Sequence, residues 1–87
     1  MRFKDLFVNP TLRYALGVEQ TTGEYYLSIP VANRLADYEE YYRIDRHAFE
    51  RYRRDPASAH AFLERCRRRE ADALLFLAPG GDRGVPG

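Results

Sequence analysis

The sequence predicts an α+β domain: a small antiparallel sheet with two helices packed on one face, in the order β-β-β-α-α-β. Three observations carry this reading. Two segments flanking Thr21-Thr22-Gly23-Glu24 alternate apolar and polar residues with period two. Capped segments with helical periodicity come only after them, and strands followed by helices are the α+β arrangement. The chain has 87 residues, with seven Tyr and five Phe, enough for one modest core without staples.

Each element has its own local reason. Phe3, Leu6 and Phe7 have helical spacing and Asn9-Pro10 stops a helix, so residues 3–7 read as a helical turn. Leu12, Tyr14, Leu16 and Val18 alternate with Arg13, Ala15, Gly17 and Glu19, a half-buried strand. Gly23 can take the positive φ that the following turn requires. Tyr25, Leu27, Ile29 and Val31 alternate with Tyr26, Ser28 and Pro30, completing a hairpin. Pro30 has no N–H, which puts that end at an edge, at a bulge or beyond the pairing.

Residues 33–36 read as a connection. The Tyr-rich segment from Asp37 to Ile44 reads as a third strand, whose charges suit an edge that would leave Glu40 in water. Asp45 caps a helix running to about Arg54, with Ile44 and Phe49 at staple positions. Asp55-Pro56 restarts a helix that extends to about Asp72. Its Ala59, Phe62, Leu63 and Cys66 fall within an arc of about 100°. Residues 73–78 read as a buried strand, with a longer helix as the alternative. One domain is expected over 1–78, followed by a flexible Gly/Pro-rich tail over 79–87.

The formal charge of +1 gives no strong global field, yet it is unevenly spread. Residues 43–69 hold nine Arg and four acids, a local +5, between flanks that each carry −2. A single cysteine, Cys66, forms no internal disulfide, which favours a reducing cytoplasm. The longest apolar run, Ala73 to Ala78, is far short of the roughly twenty residues that span a bilayer, so no membrane partner is expected. Thirteen Arg against one Lys suggests a GC-rich bacterial coding bias.

No phosphate-loop, nucleophile-elbow, C-x-x-C or H-E-x-x-H pattern is present, and no cofactor or metal is implied. The feature that remains is a surface. Opposite the helices, small residues of the first two strands would form a shallow floor flanked by Tyr and Arg, residue types enriched at interface hot spots. The leading expectation is therefore a small cytoplasmic, non-catalytic interaction module. It would bind another protein, or itself as a homodimer, through Arg13, Tyr26, Tyr41 and Arg43. The alternative is a nucleic-acid binder using Arg51, Arg54, Arg65, Arg67 and Arg68. A small hydrolase or nuclease using Glu40, His47 or His60 comes third, because no spacing joins a base, a nucleophile and a charge stabiliser. Cys66, on the apolar arc, reads as inert core filling.

Overall fold

The period-two segments form the strands that their patterning demands. The computed structural model describes residues 1–32, 37–79 and 83–86. Four strands lead: β1 (Phe3–Asn9), β2 (Tyr14–Glu19), β3 (Tyr25–Ala32) and β4 (Asp37–Ile44). Helices α1 (Arg46–Arg54) and α2 (His60–Arg67) follow, and the short β5 (Val85–Pro86) closes the order. The sheet is antiparallel throughout, with path β1-β2-β3-β4 and β5 paired to β3. The α+β class, the antiparallel sheet and the two helices are thus as the sequence predicts. One strand, β1, is added at the front.

The helical reading of residues 3–7 fails because of a bulge. Asp5 pairs with Gly17 and Phe7 with Leu16, leaving Leu6 as the extra residue. Phe3 and Phe7 consequently face opposite sides of the sheet. Phe7 packs near Tyr14, whereas Phe3 stacks on Tyr41 with ring centroids 3.7 Å apart. A spacing that looked like one face of a helix serves two faces of a strand. The Asn9 side chain then accepts from the Leu12 N–H, and Arg13 takes a left-handed φ of 61°, so β2 begins at Tyr14 rather than Leu12.

The β2–β3 hairpin is tied by Glu19. Its buried carboxylate accepts from the backbone N–H groups of Arg2, Thr21 and Thr22 and from the Thr22 hydroxyl, at 2.9–3.0 Å. Gly23 supplies the turn's positive φ of 78°.

The helices cover the face bearing Leu16, Leu27, Ile29 and Tyr42, filling it with Phe49, Tyr52, Leu63 and Cys66. Asp45 caps α1 through the Ala48 N–H at 2.7 Å. Pro56 opens a 3₁₀ turn (Pro56–Ala59) that leads into α2. That helix ends five residues before the expected Asp72, because Arg69 turns left-handed with φ 62°. A second 3₁₀ turn, Asp72–Leu74, follows.

Residues 73–78 do not form the expected strand. Leu75 makes a single bridge to Tyr42, and the Phe76 N–H donates to the Tyr41 carbonyl at 3.0 Å. The segment crosses the β4 edge, with Leu75 joining the helix-side core and Phe76 meeting Phe3 on the other side.

Residues 83–86, expected in a loose tail, return to the sheet. Val85 and Pro86 pair with Ala32 and Val31. Since β4 already pairs with those two residues of β3, β5 lies on the β2 side, beyond the end of β2. The Gly84 N–H donates to the Tyr38 hydroxyl at 2.9 Å, and Arg69 donates to the Gly84 carbonyl at 2.6 Å.

Arg83 holds this return with paired donors. Its guanidinium reaches both oxygens of Glu40 at 2.7 and 3.0 Å and both of Asp72 at 2.8 and 2.9 Å. Glu40 is therefore 6% exposed, not open to water as an edge position would leave it. Its other donor is the Tyr42 hydroxyl at 2.9 Å. The strand is an edge in the pairing order, but its helix-side face is roofed by Arg83. The two carboxylates in turn push the Arg83 pKa further up, favouring the charged form.

Two predictions test these ties. Arg83→Ala leaves Glu40 buried without its counter-ion and is expected to cost about 3–5 kcal/mol in urea unfolding. Arg68→Ala, at the exposed Arg68–Glu70 pair, should cost at most about 1 kcal/mol. Equal losses would show that Arg83 is not holding the return.

For Glu19, the Arg2 N–H first, opposed by desolvation and helped by the Thr21 and Thr22 donors, holds the carboxyl at about 2, below its ordinary 4.5. A depressed pKa stabilises the fold above the ordinary value, and this contribution is lost as pH falls from about 4.5 towards about 2. Glu19→Gln should therefore be less stable than the parent at neutral pH, with the gap closing through that window. A gap independent of pH would contradict the assignment.

Candidate functional site: the open face of the sheet

The face turned away from the helices divides into two halves. Aligned register places Asp5, Gly17, Tyr26 and Arg43 in one row across four strands, with Val8, Ala15, Ser28 and Tyr41 in the next. The first row is filled. The Tyr26 ring lies across Gly17, its cross-strand partner, and its hydroxyl reaches Asp5 on β1. A Cβ on Gly17 would strike both the Lys4 carbonyl oxygen and that hydroxyl. Tyr26 is consequently 0% exposed. Burial, followed by the hydrogen bond to Asp5, raises its pKa and keeps the hydroxyl protonated as a donor.

Three further rings close this half. Phe3 stacks on Tyr41, and Tyr26 meets Tyr41 edge-on at 4.9 Å. Phe76 meets Phe3 edge-on at 5.4 Å, and the Arg43 guanidinium lies 4.3 Å from the Phe76 ring centroid. Arg43 also donates to the Leu75 carbonyl at 2.9 Å and pairs with Glu24 at 3.3 Å.

The other half stays open as a groove of about 240 Å³. Its buried floor includes Ala15 and Ser28, and Val8, Pro30, Asp5, Glu39 and Arg13 form its sides. Desolvation at the wall and the nearby Asp5 charge push the Glu39 carboxyl up, against the pull of Arg13. Beside the groove, β1 exposes Leu6 and Val8, at 49% and 59%. The groove therefore offers an apolar rim, a small-residue floor and unevenly compensated carboxylates.

Of the four residues expected to contact a partner, only Arg13 lines this groove. Tyr26 is corrected from a contact to an interior ring, while Tyr41 and Arg43 are half-buried members of the same aromatic group. Asp5 and Val8 escaped sequence reasoning because β1 was read as helical. The adjacency of Glu39 and Asp5 follows only from the bulged register.

The arginines of the nucleic-acid alternative are dispersed. Arg51 lies near its own neighbour's ring, 5.3 Å from Tyr52, and Arg54 is exposed at the end of α1. Arg65 is exposed on α2, Arg67 donates to the Leu12 carbonyl at 2.6 Å, and Arg68 pairs with Glu70 at 3.1 Å. Among the three residues weighed for catalysis, Glu40 is locked to Arg83, and His47 and His60 are exposed on different helices. Cys66 is buried, and burial pushes its thiol up to about 12, far from a reactive thiolate. Among the described residues, no three His, Cys, Asp or Glu side chains cluster as metal ligands. No helix among them is long and apolar enough to cross a membrane.

Compared with protein-family models, curated proteins and solved structures, the chain matches none. The reading of function consequently stands on the groove and its chemistry.

Proposed function

We propose that the protein is a small non-catalytic interaction module of the bacterial cytoplasm that binds another protein, or a second copy of itself, through the open-face groove. The observation that supports this is the division of one sheet face into a filled aromatic half and an unfilled half. The unfilled half combines a floor of Ala15 and Ser28 with the exposed apolar rim of Val8 and the charged walls of Arg13, Glu39 and Asp5. A solvent-facing sheet ordinarily presents long polar side chains. Here the floor is small and already buried, so an inserted side chain would meet a preformed surface with polar groups to orient it. The aromatic half fixes the strands beneath the groove, reducing the ordering cost of association.

The test compares the parent with Val8→Glu and Glu39→Lys, both at exposed positions. Light scattering across a concentration series reads self-association. Capture from the native host followed by mass spectrometry reads other partners. Each substitution should weaken the association seen with the parent about tenfold or more, without lowering the melting temperature. Association unchanged in both variants would overturn the assignment to this face.

A further inference from the structure

A second recess lies on the other side of Arg13, and its chemistry differs from that of the groove. Thr11, Leu12 and Arg13 reach it from the β1–β2 turn, and His60 and Arg67 from α2. His60 and Arg67 are seven residues apart, two helical turns, so they project from the same side of α2. The recess measures about 370 Å³, and among the described residues no carboxylate lines it.

Arg67 is set in place by two acceptors. One terminal nitrogen donates to the Leu12 carbonyl at 2.6 Å, which ties α2 to the turn, and the other to Glu64 at 3.2 Å. A guanidinium has five N–H donors, so these bonds leave capacity for a ligand. Its Nε is the one buried side-chain nitrogen or oxygen among the described residues without a hydrogen-bond partner. Arg13 is exposed and forms no ion pair within 4.0 Å among the described residues. The recess is thus lined by two arginines, a histidine and a threonine, with Glu64 beside Arg67 and Glu39 close enough to Arg13 to feel its charge, both as partial counter-charges.

We propose that this recess is an oxyanion site that takes a phosphate group, with Arg13 and Arg67 as its principal donors and His60 and Thr11 beside them. Phosphate suits it better than a carboxylate does. It offers more acceptor oxygens and close to two negative charges, matching two guanidinium forks together with smaller donors. The volume leaves room for a small organic substituent on the phosphate. A polynucleotide would instead draw on the dispersed Arg51, Arg54, Arg65 and Arg68, which do not line this recess.

The experiment is a titration followed by ¹H–¹⁵N NMR, first with inorganic phosphate and then with glycerol 3-phosphate, at ionic strength held constant with chloride. Saturable shifts centred on residues 11–13 and 60–67 are expected. His60→Ala and Arg13→Ala should each weaken binding about tenfold, the loss of one charge-assisted contact, at unchanged melting temperature. Arg67→Lys, which keeps the charge but not the fork, should weaken it as well. Tighter binding of the ester would identify an organic phosphate as the ligand, and tighter binding of the inorganic ion a free phosphate. Absence of saturation, or shifts spread over the arginines of both helices and unaffected by His60→Ala, would overturn the site. His60 is outside the sheet groove, so that variant separates failure here from failure of the interaction face.

Discussion

The open face depends on one packing constraint: Tyr26 must lie flat across Gly17 to reach Asp5. Three strands meet in that contact. The ring starts on β3, covers the bare backbone of β2 and delivers its hydroxyl to β1. A glycine inside a strand ordinarily weakens it, since nothing packs there and the unfolded chain gains freedom. The aromatic ring fills that gap, a device that sheets use to compensate for glycine. Once Tyr26 is down, Phe3, Tyr41 and Phe76 can pack around it, and Arg43 closes over the last ring. In the neighbouring row the one ring, Tyr41, packs against Phe3 and Tyr26, so the floor of Ala15 and Ser28 remains a groove.

The two faces of the sheet are coupled at the β4 edge. Leu75 and Phe76 straddle it, one residue to each side, so the helix-side core and the aromatic half share a single crossing segment. On the helix side, Arg83 covers Glu40 and bridges it to Asp72. A buried ion pair offers little net stability over apolar packing, but it allows few alternative arrangements, because the buried Glu40 carboxylate left unpaired would be costly. The C-terminal return is thereby fixed by charge and by the two-residue β5 pairing, with little apolar burial of its own.

Where one periodicity governed a segment, the sequence was legible. Tyr14–Glu19 and Tyr25–Ala32 became strands. Asp37–Ile44, whose tyrosines fit both periods, became a strand as its tyrosine content implied, and Asp45 capped α1 as its position implied. Failures came where a non-local or single-residue event broke the pattern. The Leu6 bulge let Phe3 and Phe7 imitate a helical face while serving opposite faces of β1. Arg69 ended α2 by turning left-handed, which no propensity of Arg announces. Glu40 was misplaced because its partner stands 43 residues away in the chain. The candidate surface was recognised as a face, through Arg13, Tyr26, Tyr41 and Arg43, but its division into filled and open halves required β1. Without that strand, Asp5 and Val8 had no place on the surface, and Tyr26 looked available for contact.

The constraint at Gly17 can be tested against backbone propensity, because the two arguments predict opposite signs. Propensity alone favours Ala over Gly in a strand interior by about 0.5–1 kcal/mol. Packing beneath Tyr26 and against the Lys4 carbonyl oxygen predicts overcrowding, which costs about 1–3 kcal/mol. The decisive measurement is the unfolding free energy of Gly17→Ala by urea titration, followed through tyrosine fluorescence. A loss of about 1 kcal/mol or more is the result predicted here. A variant as stable as the parent, or more stable, would contradict the claim that Tyr26 on Gly17 organises the open face.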